Sequence, residues 1–211
     1  MGRKYNFYAG PAILPEPVLE QLEAEIRDYQ GTGVSLIETS HRSKEYDAVH
    51  NDAMETFRSL LSVPDSHEIL FLGGGATMQF GMVPMNFLQG GSCDFTLTGS
   101  WAEKAHADAT LFGNVEILFD GSESGFTTLP DPASLRPHAD ARYLHLTSNE
   151  TIGGVQWKSF PDGGDVPLVA DMSSDIMSRP LDLAPFGLVY AGAQKNLGPA
   201  GVTVVIIRKE M

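Results

Sequence analysis

Short apolar runs at residues 69–72, 95–98, 115–119, 143–147, 168–170, 186–191 and 202–207 punctuate the chain, and most of the gaps between them could hold a helix or an extended crossover. Each run has strand length and is bounded by polar or glycine-containing segments. Strand, crossover and strand in repetition predict an α/β domain built on a mostly parallel central sheet flanked by helices. Helices fit best over 76–88 and 101–112. Before the first run, Pro17 can open a helix carrying Val18, Leu19, Leu22, Ile26 and Tyr29 at helical spacing, closed by Gly31 and Gly33. A further helix fits 45–61, where Tyr46, Val49, Ala53, Phe57 and Leu60 form a stripe expected to face the core. Residues 1–15 hold Tyr5, Phe7 and Tyr8 among Pro and Gly and read as an ordered arm, with one domain over 16–211. No internal repeat, low-complexity tract or linker interrupts it.

Composition narrows the function classes. The 211 residues suffice for a substantial core, with 42% hydrophobic and 19% charged residues. A formal net charge of −13 argues against sequence-independent nucleic-acid binding, which needs clustered Lys and Arg. The single cysteine, Cys93, excludes an internal disulfide, suits a reducing compartment and is expected to be buried as a small hydrophobe. No run approaches the roughly 18–20 apolar residues of a membrane span. Met1-Gly2 resembles an acylation start, but Asn6 stands where Ser or Thr is expected. These features point to the cytoplasm and to no membrane partner.

Between the last two apolar runs lies Tyr190-Ala191-Gly192-Ala193-Gln194-Lys195-Asn196-Leu197-Gly198-Pro199-Ala200-Gly201. Small residues around Lys195 allow backbone and ligand to approach while the strands hold the amine in place. A desolvated amine there suits Schiff-base chemistry with a carbonyl; a surface lysine in a turn is the plain alternative. Gly73-Gly74-Gly75-Ala76 follows a strand and opens a helix, an arrangement that turns backbone N–H groups toward an anion such as phosphate. It lacks the Gly-Lys-Ser/Thr of a Walker loop, and Met78 replaces the third glycine of a dinucleotide fingerprint. Asp171 closes an apolar run and needs a cationic or hydrogen-bonding partner if buried, or else serves as a helix cap. Trp101 follows Thr98-Gly99-Ser100 at a helix start and could stack on a flat ligand or fill the core. A polar cluster from Thr147 to Thr151 ends another strand and could bond a ligand or satisfy its own loop, and Ser40-His41-Arg42-Ser43-Lys44 is a local basic cluster suited to carboxylate or phosphate, or else a solvated surface. No His-Glu-x-x-His or Gly-x-Ser-x-Gly occurs, and the six histidines are scattered, so neither a metal site nor a serine hydrolase is indicated.

Taken together, Asn6-Phe7 with Ala9 to Ala12, Ser40 to Glu45, Gly73-Gly74-Gly75, Gly99-Ser100-Trp101, Thr147 to Ile152 with Gly154, Asp171 to Asp175 and Tyr190 to Gly201 resemble the phosphoserine aminotransferases, in family order along the whole chain. These are class V, fold-type I enzymes that use pyridoxal 5′-phosphate. The resemblance implies the large domain of that fold. It implies Lys195 as the amine joined to the cofactor and the proton carrier, Asp171 at the pyridine nitrogen, Trp101 on the ring, and Thr151 near its polar edge. Gly75, Ala76 and Gln194 would hold the phosphate, and His41 and Arg42 the anionic groups of the substrate. The implied reaction interconverts 3-phosphohydroxypyruvate plus glutamate with O-phosphoserine plus 2-oxoglutarate, in serine biosynthesis, in a homodimer. Family members are longer and add a smaller C-terminal domain, expected to be absent from this chain; some carry arginine where Ala76 stands. Two alternatives remain: a truncated, inactive large-domain fragment, or a related class V transaminase acting on another small amino acid.

Overall fold

The computed structural model describes residues 3–211. Met1 and Gly2, and with them the resemblance to an acylation start, lie outside the described residues. In chain order the elements are α1 (Glu16–Glu25), α2 (Lys44–Leu61), β1 (His67–Gly73), α3 (Thr77–Phe87), β2 (Ser92–Leu97), α4 (Ser100–Ala109), β3 (Asn114–Asp120), β4 (Ala141–Thr147), β5 (Leu168–Asp171), β6 (Phe186–Gly192), α5 (Ala193–Asn196) and β7 (Val202–Arg208). Every apolar run of the sequence is a strand of one seven-stranded sheet in the order β1-β7-β6-β5-β4-β2-β3. Strands β6, β5, β4, β2 and β3 pair in parallel. Only β7 runs the other way, antiparallel to both β1 and β6. The segments that follow β1, β2, β4, β5 and β6 therefore leave the sheet at one edge, the carboxyl edge where open α/β sheets place ligands.

The unbroken apolar runs of the inner strands have a direct cause, both faces of the sheet being covered there, whereas Leu70 of β1 and Ile117 of β3, on the two edge strands, are exposed. On one face Tyr143, Val169, Leu188, Tyr190 and Val205 pack with Phe80 and Val83 of α3 and Ala105 and Ala109 of α4. On the other, Leu144, Leu146, Leu168, Ala170, Val189, Ala191 and Ile206 pack with Trp157, Met172, Ile176 and Leu183 from the long connections. Successive residues 168–170, 188–191 and 204–207 of β5, β6 and β7 serve opposite cores, as the two-residue period of a strand requires. Cys93 is buried in the first of these cores, and burial pushes its thiol up to about 11, so it behaves as a hydrophobe.

The amino-terminal third departs from the sequence expectation. α1 stops at Glu25, and Tyr29–Gly31 forms a separate 3-10 turn with Gln30 at φ 50°. Its apolar stripe reaches no core: Val18, Leu22 and Ile26 are all exposed. α2 is capped by Ser43, whose Oγ accepts from Tyr46 N at 3.1 Å. Phe57 packs edge-on against Phe71 of β1, but Tyr46 and Leu60 at the ends of the stripe are exposed. The far end of the arm is tied to the site edge, where Ala12 N donates to Gln194 O at 2.7 Å, and Arg3 pairs with Glu16 of α1 at 2.6 Å. Tyr5 and Phe7 are each 93% exposed. Helical periodicity identified an apolar face in each case; it could not say whether this chain supplies the surface to cover it.

Candidate active site

Five connections meet at the carboxyl edge. β6 ends at Gly192, and the single turn α5 presents Gln194 and Lys195 before the chain returns as β7. Lys195 Nζ donates to Thr151 Oγ1 at 2.6 Å, in the connection after β4. The same ammonium stands 4.9 Å from the centroid of the Trp101 ring, at the start of α4. Lys104, one turn along α4, stands 4.5 Å from that ring. Burial pushes the Lys195 amine below its ordinary range, and the charges of Asp171 and Glu150 oppose that displacement.

Asp171, the last residue of β5, is 5% exposed. Its Oδ1 accepts from Ser173 N at 2.9 Å and Ser173 Oγ at 2.6 Å, and no hydrogen bond to Oδ2 is made among the described residues. Burial pushes this carboxyl upward, with the Ser173 bonds and the Lys195 charge opposing. Ser173 Oγ also accepts from Gly192 N at 3.0 Å, so one hydroxyl joins the ends of β5 and β6. Gln194 Oε1 is buried without a partner, in space opened by Gly192: a Cβ there would stand 2.8 Å from it. The arm reaches the site as well, since a Cβ on Gly10 would meet Lys195 Cγ at 3.1 Å.

The glycine turn after β1 joins this edge through Gly74 N, which donates to Gly201 O at 2.9 Å just before β7. Gly74 has φ 104°, a backbone that excludes other residues. Nothing lies within 4 Å of where a Cβ of Gly75 would stand, and Ala76, at the cap position before α3, offers no side-chain cap. The first N–H groups of α3 are thus left without the usual side-chain acceptor.

Lys195, Thr151, Trp101, Asp171 and Gln194 are therefore gathered at one edge, with Gly75 and Ala76 on the neighbouring connection. His41 and Arg42 are not brought in. Both are exposed in the turn before α2, and Arg42 makes no ion pair among the described residues. Sequence reasoning passed over Glu150, Ser173 and Gly10. Glu150 sat unremarked in the polar cluster; its signal was a carboxylate at a strand end, opposite a glycine beside a helix start.

The model for class-V aminotransferases matches residues 4–211. The chain belongs to the class-V aminotransferases. It is 55% identical over 210 residues to the phosphoserine aminotransferase of Niallia circulans, an alignment covering 99% of this chain and 58% of that protein. The solved phosphoserine aminotransferase of Bacillus circulans subsp. alkalophilus superposes with a TM-score of 0.96 at 55% identity, over 99% of this chain and 58% of that one. The pyridoxal-phosphate-bound phosphoserine aminotransferase of Trichomonas vaginalis superposes with a TM-score of 0.86 at 37% identity, over 99% and 59% of the two chains. This class-V chain thus spans less than two thirds of the length of these relatives. Its seven-stranded sheet flanked by helices is the large-domain fold of that class.

Proposed function

We propose that this chain is the cofactor-binding large domain of a pyridoxal 5′-phosphate-dependent phosphoserine aminotransferase, with residues 1–15 as its arm and 16–211 as the domain proper. The observation that carries the reading is the amine of Lys195, half-buried and held by Thr151 at the sheet edge that also carries Asp171. A lysine with burial lowering its proton affinity is a nucleophile rather than a solubilising charge. The relatives at 55% identity support the substrate assignment.

The chain's own atoms suit the cofactor. The uncapped start of α3 at Gly75 and Ala76, with the unpartnered amide oxygen end of Gln194 beside it in sequence to Lys195, offers polar groups that lack protein partners. Because Oε1 and Nε2 of an amide are assigned from their surroundings, an unpaired buried amide next to a phosphate would turn its NH2 toward it. Asp171 keeps Oδ2 for a cation, and would hold a proton at the pyridine nitrogen. Trp101 would cover the ring, and Thr151 would bond near its polar edge. When bound, pyridoxal 5′-phosphate supplies a carbonyl carbon that amines can join and a ring that withdraws electrons from it. Lys195 would hold that carbon and, once released, take up and return the substrate Cα proton. Its lowered proton affinity suits attack on the carbon and uptake of the proton, which start from the neutral amine, and eases the ammonium's return of that proton.

His41 and Arg42 would bind the anionic groups of O-phosphoserine and glutamate, whose keto partners are 3-phosphohydroxypyruvate and 2-oxoglutarate. Both residues are exposed and bond none of the groups around Lys195 among the described residues, and the reading includes assembly as a homodimer, in the cytoplasm. Among the described residues no helix is long and apolar enough to cross a membrane.

The test is an absorption spectrum of the purified chain with added pyridoxal 5′-phosphate, before and after borohydride, beside Lys195→Ala. The expected result is a visible band that borohydride fixes covalently at Lys195 and that the variant lacks. O-phosphoserine should then discharge the band faster than alanine or glycine does. A chain that shows no band, or one fixed equally in Lys195→Ala, overturns the cofactor reading; equal discharge by all three amino acids overturns the substrate.

A further inference from the structure

We propose that Glu150 is a positioning residue whose carboxylate locks the start of α4 to the connection after β4, so that the Trp101 ring and the Thr151 hydroxyl are held around the Lys195 amine as one unit. Glu150 is 1% exposed. Its Oε2 accepts from Trp101 N at 3.1 Å, and its Oε1 from Ala102 N at 3.0 Å and Thr98 Oγ1 at 3.3 Å. A helix amino terminus that elsewhere would bind a ligand's anion is here filled by a carboxylate of the same chain, brought from the connection after β4. The residue that follows it is Thr151, which accepts from Lys195.

Two further observations make the contact specific. Gly99 lies in extended backbone, φ 161°, which any residue can adopt, so its conformation does not call for glycine. The carboxylate does: a Cβ at position 99 would stand 2.6 Å from Glu150 Cδ and 2.7 Å from Cγ. Glu150 is also closed from the backbone side, Glu150 N donating to Val155 O at 2.9 Å and Gly154 N to Glu150 O at 2.6 Å. The side chain can neither swing toward position 99 nor be carried off by its own turn. Trp101 Nε1 is buried without a partner, so the indole is held through its backbone and packing rather than by its own hydrogen bond. Burial pushes the Glu150 carboxyl upward while the Trp101 and Ala102 amides and Thr98 draw it back.

The consequence for chemistry rests on the reading of Lys195 above; the lock itself does not, and the test uses the ligand-free chain. Two variants break the lock by different means: Glu150→Gln keeps the shape and removes the charge, and Gly99→Ala keeps the charge and displaces the side chain. Two indole N–H resonances are available, from Trp101 and from Trp157, which is 1% exposed and reports that the fold is intact. In the parent chain, Lys195→Met should shift the Trp101 indole signal by removing the charge over the ring. In either lock variant the same substitution should leave that signal nearly unmoved, while Lys104→Met, carried on α4 itself, still shifts it. Hydrogen-exchange protection of the Trp101 and Ala102 amides should fall roughly ten- to a hundred-fold in both variants, as expected for losing a bond to a charged acceptor. A Trp101 signal that still responds fully to Lys195→Met in a variant with an undisturbed Trp157 signal overturns the proposal. Should one variant fail to fold, the other decides. A chain that passes this test and still fails to take pyridoxal 5′-phosphate refutes the function and leaves the lock.

Discussion

Replacing His145 with glutamine should flatten the acid side of the stability curve. His145 is 3% exposed, stacked on Phe95 at 4.5 Å, with Nε2 bonded to Tyr190 Oη at 2.8 Å and Nδ1 buried without a partner. Burial alone pulls its pKa down to about 3 from an ordinary 6.5. The folded imidazole therefore stays neutral where the unfolded one is charged, and stability is full above pH 6.5 and lost as pH falls toward 3. The gap of about 3.5 pH units corresponds to roughly 5 kcal/mol once the loss is complete. Between pH 7 and pH 5 about 1.4 units of that window are crossed, or about 2 kcal/mol. Glutamine can still donate to or accept from Tyr190 Oη but does not titrate. Urea unfolding of the parent and His145→Gln chains at pH 7 and pH 5 isolates this term, since the other titrating groups are common to both. The parent should lose about 2 kcal/mol more than the variant over that interval. Equal losses in the two chains would mean that the imidazole is protonated in the folded state, and the argument from burial would be wrong.

Three further outcomes are expected. His138 is held by the buried Asp94, His138 Nδ1 lying 2.8 Å from Asp94 Oδ1, and this bond raises the imidazole's pKa. Its contribution is present below pH 6.5 and is lost as pH rises through the raised folded value, so Asp94→Asn should abolish that loss and return the His138 NMR titration to an ordinary midpoint. Ser173→Ala removes the hydroxyl shared by Asp171 and Gly192 and leaves the Gly192 N–H buried without its acceptor, which should cost about 1–3 kcal/mol in urea unfolding. At Gly113 a Cβ would stand 2.5 Å from Gly91 O and 2.8 Å from Leu88 Cγ, so Gly113→Ala should lower the thermal midpoint by an overpacking term of about 1–3 kcal/mol, and an unchanged midpoint would show that the turn yields freely.

The lessons of the site differ residue by residue. The places of Lys195 and Asp171 at the carboxyl edge were legible because Asp171 directly follows an apolar run and Lys195 lies in the short glycine-containing link between two such runs. Trp101 was legible as an aromatic at a helix start, but not its contact with Lys195, which spans 94 positions of sequence and depends on β2 and β6 being separated by only β5 and β4. Glu150 was missed for the same reason: a carboxylate just past a strand end marks a candidate, but its partner, the start of α4, comes from another connection. His41 and Arg42 carry the opposite lesson. Their residue types suit anions wherever they lie, yet an exposed turn before α2 is where the single chain leaves them.

What the sequence determined by itself is therefore local and periodic. The seven apolar runs became the seven strands because a run of that length has no better way to bury itself than in a sheet covered on both faces. Ser43 capped α2 and Gly31, Gly33 and Gly74 took positive-φ backbone, because those choices involve only neighbouring dihedrals and hydrogen bonds. The tertiary structure decided everything that depends on strand order: that β7 alone reverses, that the five connections carrying the site leave at one edge, and that the amine of Lys195 lies between Thr151 and Trp101. It also decided that the apolar faces of α1 and the arm go uncovered here. Periodicity shows that a face exists, whereas covering it takes a surface, and no surface among the described residues comes over those faces.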